Sequence, residues 1–86
     1  MSASVEELKA IASPLGVDAR GISCPGPILA AKKQIAAVSL GNVMEVMATD
    51  SGTLKDIPAW CRKMGHEFLG SFEEAGSIHL FLRKAK

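Results

Sequence analysis

The sequence is poor in the residues on which several classes of protein depend. It has two cysteines, no tyrosine and an aromatic fraction of 5%. Two cysteines are too few for a disulfide scaffold, so we expect both to be free thiols in a reducing compartment. The scarcity of aromatic residues predicts a core of Ile, Leu, Val, Met and Ala. A net charge of +1 is unlike that of a nucleic-acid binder, so no direct contact with nucleic acid is expected.

Long apolar runs are also missing. No stretch approaches the roughly 20 apolar residues that a membrane helix needs. The amino terminus shows neither the basic start nor the apolar run of a signal peptide. We therefore expect a cytoplasmic protein that has no contact with the membrane. A chain of 86 residues has room for one hydrophobic core and hence for one domain.

Hydrophobic periodicity divides the chain into an amino-terminal extension, residues 1–14, and a domain, residues 15–86. In the extension, Ser4 and Glu7 have capping-box spacing, and apolar residues recur every three positions, which is typical of a short helix. In the domain the pattern predicts six elements in chain order. They are a strand over 15–19, a helix starting at Pro25, a strand over 43–49, a helix ended by Gly65, and strands over 66–73 and 77–84.

This order predicts an α+β fold whose elements follow one another as β-α-β-α-β-β. Two helices can cover only one face of a four-stranded sheet, so we expect a two-layer α/β sandwich with a mixed sheet. The other face of the sheet is then open, and alternation along the strands places Met47 and Phe81 on it.

The second helix is predicted to bury one apolar stripe. Its members are spaced for one helical face, with Trp60 at the border: Leu54, Ile57, Cys61 and Met64. Free cysteine is among the most buried residue types, so a packed core thiol is the favoured interpretation of Cys61. Thr53 and Asp56 have capping-box spacing at the start, and Pro58 limits where the helix can begin because proline is tolerated in the first turn.

The segment Cys24-Pro25-Gly26-Pro27 lies where the first strand gives way to a helix. Proline is favoured at the first helical position, so Pro25 there would make Cys24 the N-cap. Unpaired N–H groups and the positive end of the helix dipole would then lower the pKa of the Cys24 thiol. Pro25 and Pro27 stiffen the loop and hold the sulfur outward. The alternative is that Cys24 is an incidental small residue at a helix start, although cysteine is not a favoured cap.

Two blocks of the sequence resemble the TusA/SirA-like sulfur carrier family. The first block, residues 18–27, contains the C-P-x-P motif, and the second begins at Thr49-Asp50-Ser51-Gly52 and continues to Lys84. The resemblance covers about residues 16–84 and implies the same β-α-β-α-β-β sandwich. In this family the cysteine of C-P-x-P receives sulfane sulfur as a persulfide, or carries a thiosulfonate in sulfur oxidisers, and passes it on. By resemblance that role is assigned to Cys24.

The resemblance also implies partners and pathways. A cysteine desulfurase or a rhodanese would donate the sulfur, a DsrE-like protein would accept it, and no cofactor is implied. The pathway is tRNA thiolation, molybdenum cofactor synthesis or sulfur oxidation. Family members that feed tRNA thiolation can carry a glutamate between the two prolines, where this chain has Gly26. Whether such a carrier counts as an enzyme, a sulfurtransferase, is left open by the sequence.

Other residues and functions remain as alternatives. Arg20 either steadies the Cys24 thiolate and steers an acidic partner or is a solvated arginine. His66 and His79 have no second ligand at metal spacing, so no metal site is assigned. Two other functions compete with sulfur transfer. One is a non-catalytic protein- or RNA-interaction module that uses the open sheet face, and the other is a redox protein that pairs Cys24 with an exposed Cys61.

Overall fold

The computed structural model describes Leu8, residues 14–23 and residues 26–86. The elements in chain order are β1 (Leu15–Ala19), α1 (Gly26–Gln34), a short 3-10 helix (Ile35–Ala37), β2 (Val43–Ala48), α2 (Thr53–Met64), β3 (Glu67–Glu74) and β4 (Ser77–Arg83). The predicted order of strands and helices is confirmed. The helix predicted over 4–11 lies outside the described residues except for Leu8, which is helical. The predicted first helical residue, Pro25, also lies outside them.

The four strands form one mixed sheet in the order β1-β2-β4-β3. Strands β1 and β2 are parallel, with Val17 opposite Val46, whereas β4 is antiparallel to both β2 and β3. Because parallel strands point the same way, β1 and β2 both end at one edge of the sheet, at Ala19 and Ala48. We call this the carboxyl edge. Both helices begin shortly after a strand has ended there.

The core lies between the sheet and the two helices. Met44, Val46 and Ala48 of β2 are fully buried, as the alternation of that strand predicts. Val17 and Ala19 of β1 are buried as well. Facing them, α1 and the residues after it contribute an apolar stripe, with Ala31 and Val38 buried and Ile28 and Ile35 packed against the cluster. Neither helix of the described residues is long and apolar enough to cross a membrane.

The buried stripe of α2 differs from the prediction at both ends. Ile57, Cys61 and Trp60 are buried, but Leu54 is 43% exposed and Met64 is 49% exposed. The prediction that these last two residues belong to the core was wrong. Leu54 lies in the first turn and Met64 in the last, so we attribute their exposure to position along the helix axis, which angular spacing does not report.

The start of α2 also differs from the predicted capping box. Gly52 is the N-cap, and no side chain caps the helix. The Thr53 hydroxyl donates a hydrogen bond to the carbonyl of Asp50, whose carboxylate accepts one from the Gly52 N–H at 2.8 Å. This turn starts the helix early enough to leave Pro58 beyond the first turn. Pro58 therefore limits the start of the helix less than the sequence suggested.

The face of the sheet that points away from the helices, which we call the second face, is covered at one position that the sequence predicted to be open. Met47 is half-buried there, as expected for a residue at a partly covered surface, but Phe81 is only 3% exposed. The prediction that Phe81 lies on an open face was therefore wrong. Leu8 and Pro14 line a cleft together with Phe81, which places residues from before β1 on this side of the sheet.

Candidate functional site

Cys24 and Pro25 lie outside the described residues, whereas Ser23 and Gly26 on either side of them are described. Ser23 is exposed, and Gly26 is the first residue of α1. The Gly26 N–H donates a hydrogen bond to the Ser23 carbonyl at 2.8 Å. In the sequence, Cys24 precedes Gly26, the first residue of α1, by two positions.

The loop that leads to Ser23 is tied to the carboxyl edge of the sheet. The Gly21 N–H donates to the Thr49 hydroxyl at 2.9 Å, which joins the end of β1 to the end of β2. The Ile22 N–H donates to the Ala19 carbonyl at 3.3 Å. Gly21 has a φ of 79°, a left-handed conformation that glycine adopts without steric cost. The loop before Cys24 is therefore held by backbone geometry and by Thr49, whose role the sequence did not reveal.

Arg20 is engaged with Asp18 at the end of β1. Its guanidinium donates two hydrogen bonds to the Asp18 carboxylate, each at 2.9 Å, and its backbone N–H donates a third at 3.1 Å. These hydrogen bonds lower the pKa of the Asp18 carboxyl to about 2. Both side chains are exposed. The guanidinium thus stabilises the turn after β1, and Asp18 offsets part of its positive charge.

Pro27 and Gly26 set how the first turn of α1 packs. Pro27 is fully buried, so its ring anchors this turn in the protein. A Cβ added at Gly26 would clash with the branched methyl Cγ2 of Ile22. The position between the two prolines is therefore crowded by Ile22. Glycine is the residue that fits there.

Three large apolar side chains are exposed near the carboxyl edge. Ile22 is 44% exposed, Leu29 is 57% exposed and Leu54 is 43% exposed. Ile22 lies against Gly26, Leu29 follows Gly26 by three residues on the same side of α1, and Leu54 is in the first turn of α2. We call these three residues the apolar rim. Sequence reasoning did not identify it. The available signal was an isoleucine in a polar loop directly before Ser23-Cys24.

Cys61 has the properties of a core thiol. It is fully buried on α2, as predicted, and burial raises the pKa of its thiol to about 11. A thiol with this pKa remains protonated at neutral pH and has no access to solvent. The redox-pair hypothesis required an exposed Cys61, so the structure removes its basis.

The two histidines lie in different surroundings. His66 accepts a hydrogen bond at Nδ1 from the Ala85 N–H at 3.2 Å, and burial together with Lys84 and Lys86 lowers its pKa. His79 is on the second sheet face, with Nδ1 at 2.7 Å from the Glu45 carboxylate. Among residues 14–23, residues 26–86 and Leu8, no group of three or more His, Cys, Asp or Glu side chains is arranged to hold a metal ion.

Comparison with known proteins connects this geometry to one family. The family model for Sulfurtransferase TusA matches residues 16–84. Sulfur carrier protein TusA of Allochromatium vinosum is 45% identical over 69 residues, which are 80% of this chain and 91% of that protein. A putative sulfur carrier protein of Archaeoglobus fulgidus is 40% identical over 70 residues, which are 81% of this chain and 96% of that protein.

A solved structure agrees with the fold. The crystal structure of a SirA-like protein from Desulfitobacterium hafniense superimposes with a TM-score of 0.72, covering 84% of this chain and 99% of that one. The two sequences are 23% identical, so the likeness concerns the fold alone. It confirms the predicted α+β sandwich of four strands and two helices.

Proposed function

This chain belongs to the sulfurtransferase TusA family and is a sulfur carrier protein, and we propose that Cys24 is the residue that holds the sulfur. The observation that carries this assignment is the burial of Cys61. The sequence has two cysteines, and Cys61 is fully buried with its thiol pKa raised to about 11. A carrier must expose its sulfur to other proteins, so the buried Cys61 is excluded and Cys24 is the remaining candidate.

The surroundings of Cys24 favour the reactive thiolate. It precedes the first residue of α1 by two positions and follows the exposed Ser23. The amino end of a helix carries partial positive charge and unpaired N–H groups, which stabilise a nearby anion. We therefore expect the pKa of Cys24 to lie below that of a free cysteine, about 8.5.

The transfer consists of two exchange steps without net oxidation. The Cys24 thiolate attacks the terminal sulfur of a donor persulfide, a new S–S bond forms, and the donor cysteine leaves as a thiolate. A thiolate of the acceptor then attacks the terminal sulfur on Cys24, and Cys24 leaves as a thiolate. No cofactor or metal ion takes part in either step. A thiosulfonate on Cys24 is the corresponding form in sulfur oxidation.

Three neighbouring residues are proposed to position Cys24. Pro27 anchors the first turn of α1 through its buried ring, and Pro25 restricts the backbone directly after the cysteine. Arg20 acts with Asp18 to hold the turn that leads into the loop. In this proposal Arg20 is a positioning residue, because its guanidinium already binds the Asp18 carboxylate.

Membership of the family implies protein partners that donate and accept sulfur. We propose a cysteine desulfurase or a rhodanese as the donor and a DsrE-like protein as the acceptor, meeting in the reducing cytoplasm. The apolar rim supports docking around Cys24, because exposed apolar side chains beside a reactive group are typical of a protein contact. The exchange can then proceed within a surface shielded from water.

Mass spectrometry tests the assignment. The protein is incubated with a persulfide donor, and each sulfur added to a cysteine increases the mass by about 32 Da. We expect the addition in the unmodified protein and in Cys61→Ala, and its loss in Cys24→Ser. An addition that persists in Cys24→Ser, or that disappears in a correctly folded Cys61→Ala, would show that Cys24 is not the carrier residue.

A further inference from the structure

A cleft opens between the two helices at their ends away from the carboxyl edge. It holds about 350 Å³ and is lined by side chains from both helices and from the segments that follow them: Lys32, Ile35, Trp60, Lys63, Met64 and His66. We call it the distal cleft. Lys32 and Lys63 lie in the last turns of α1 and α2. Lys32 follows Gly26 by six residues, which places it about 9 Å further along the helix axis.

The inner surface of the distal cleft is apolar. Trp60 is 6% exposed, and Ile35 is half-buried and packed against the core. Met64, which also lines the cleft, is 49% exposed. The rings of Trp60 and His66 meet edge-on, with centroids 5.6 Å apart. An adaptable methionine beside a packed aromatic ring is typical of a surface that accepts an apolar side chain from a partner.

The border of the distal cleft is positively charged. Lys32 and Lys63 are exposed, and neither forms an ion pair within the described part of the chain. Two further lysines are close, since the pKa of His66 is lowered by burial and then by the charges of Lys84 and Lys86. A cluster of cations at one end of a nearly neutral protein attracts a negatively charged partner.

A second cleft of about 250 Å³ continues the distal cleft toward the carboxyl edge. The two clefts share three of their lining residues, so together they form one groove between α1 and α2. Asp56 lines the part of the groove nearer the carboxyl edge. Glu67, the carboxylate that directly follows His66, is paired with Arg83 at 2.8 Å. The positive charge is therefore concentrated at the distal end of the groove.

We propose that the distal cleft is a second docking surface, which binds an acidic segment of a partner protein. The carboxylates of that segment pair with Lys32 and Lys63, and one of its apolar side chains packs between Met64 and Trp60. The contact is separate from the apolar rim. A partner held there keeps its sulfur-bearing residue near Cys24, a consequence that rests on the proposed function, whereas binding at the cleft does not require sulfur transfer.

The distal cleft suits an acidic peptide better than a nucleic acid. Single strands bind proteins through exposed aromatic faces on which their bases stack. Trp60, the single tryptophan of the chain, is 6% exposed and presents no such face. The lysines also surround one cleft rather than following a long track, which matches the size of a short peptide segment.

Tryptophan fluorescence tests the proposal, because the chain has one tryptophan, Trp60, and no tyrosine. The full-length protein and its Cys24→Ser variant are titrated with the capped peptide acetyl-Gly-Glu-Asp-Leu-Glu-Asp-Gly-amide at low salt. We expect a saturable change in the Trp60 emission, with a dissociation constant below about 1 mM, in both proteins. The peptide with Gln and Asn in place of Glu and Asp should bind at least about tenfold more weakly, as should the acidic peptide in about 1 M salt.

A pair of double variants distinguishes the cleft from the overall charge. Lys32→Ala with Lys63→Ala should weaken binding of the acidic peptide at least about tenfold. Lys33→Ala with Lys55→Ala removes the same charge from exposed positions that line neither cleft, and it should weaken binding less than about threefold. Urea unfolding confirms that both variants are folded. Equal losses in the two double variants would overturn the proposal, because binding would then follow net charge alone.

Other occupants of the distal cleft give different results. A lack of any emission change with the acidic peptide up to about 1 mM would overturn the proposal. So would an equal change with free glutamate or phosphate, tighter binding of polyuridylate than of the peptide, or a change that depends on the concentration of the protein itself. Loading of Cys24 from a small-molecule persulfide donor is measured separately, so failure of the docking surface is distinguished from failure of the proposed sulfur site.

Discussion

The branched methyl of Ile22 occupies the space into which a side chain at Gly26 would extend. These two residues flank Ser23, Cys24 and Pro25, so the contact brings together the two ends of the short segment that carries the proposed sulfur site. By resemblance, Gly26 stands where members of the family that feed tRNA thiolation can carry a glutamate between the two prolines. In this chain such a side chain would meet the Ile22 methyl, so the Ile22 side chain would have to shift to admit it.

Gly26→Ala is expected to destabilise the protein although alanine is the better helix former. Overpacking costs about 1 kcal/mol at the low end, the value expected here because Ile22 is 44% exposed and can shift, whereas the gain of about 0.5–1 kcal/mol from replacing glycine applies to a helix interior and is smaller at the first helical residue. Ile22→Ala removes the clashing methyl and should recover most of the loss. Urea unfolding of the two single variants and the double variant measures the coupling. Strictly additive effects would contradict the contact.

Leu54 and Ile57 lie on one helix with opposite expected roles. Ile57 is fully buried, so Ile57→Ala should lower the free energy of unfolding by about 2–5 kcal/mol. Leu54 is 43% exposed, so Leu54→Ala should change it by less than about 1 kcal/mol while slowing sulfur exchange with a partner protein. Denaturation curves and the rate of persulfide transfer measure the two effects. A Leu54→Ala variant that transfers sulfur at the full rate would show that Leu54 takes no part in docking.

The burial of Cys61 should make the protein less stable at alkaline pH. Its pKa is raised from 9.0 to about 11 in the folded state, so the unfolded thiol ionises first. The stabilising contribution is complete below pH 9 and is lost as pH rises through 11, a change of about 2–3 kcal/mol. The comparison is between the free energies of unfolding of the unmodified protein and Cys61→Ala across this range. The unmodified protein should show the steeper decline, and parallel curves would contradict the assignment.

The Asp18 and Arg20 pair gives a signal at acid pH. The pKa of Asp18 is lowered from 3.8 to about 2, mainly by the hydrogen bond from Arg20, so its contribution is present above pH 3.8 and is lost as pH falls toward 2. Arg20→Ala should return the pKa toward 3.8. NMR titration of the Asp18 carboxyl carbon in the unmodified protein and in Arg20→Ala measures this. An unchanged midpoint would show that another group lowers the pKa.

The hairpin between β3 and β4 offers a stabilising substitution. Ala75 has a φ of 53°, which is unfavourable for a residue with a Cβ, and Gly76 follows at 79°. Asn and Gly are preferred in such two-residue turns, so Ala75→Asn should raise the free energy of unfolding by roughly 0.5–1 kcal/mol. Gly76→Ala is the matched control and should lower it. Thermal unfolding of both variants tests the prediction, and a destabilised Ala75→Asn would contradict it.

Hydrophobic periodicity was sufficient to predict those elements whose burial follows from the alternation of apolar and polar residues alone. The strands β1 and β2 were predicted to within one residue of their bounds, and Gly65 ends α2 in the left-handed conformation expected of a helix stop. The prediction that Leu54 and Met64 are buried failed because angular spacing does not tell where a helix lies along the sheet. The prediction for Phe81 failed because the residue is buried although it faces away from the helices, and local alternation does not report which distant parts of the chain lie over that face.

By itself, the sequence determined the order of strands and helices, the family, and the choice of a cysteine in C-P-x-P as the candidate site. Each of these depends on residues close together in the chain. Only the tertiary structure decided that Cys61 is sealed in the core, that Arg20 is bound by Asp18, and that Ile22 crowds Gly26. Burial and contact depend on how separate elements pack in space, and the sealing of Cys61 by that packing supports the proposal that Cys24 carries the sulfur.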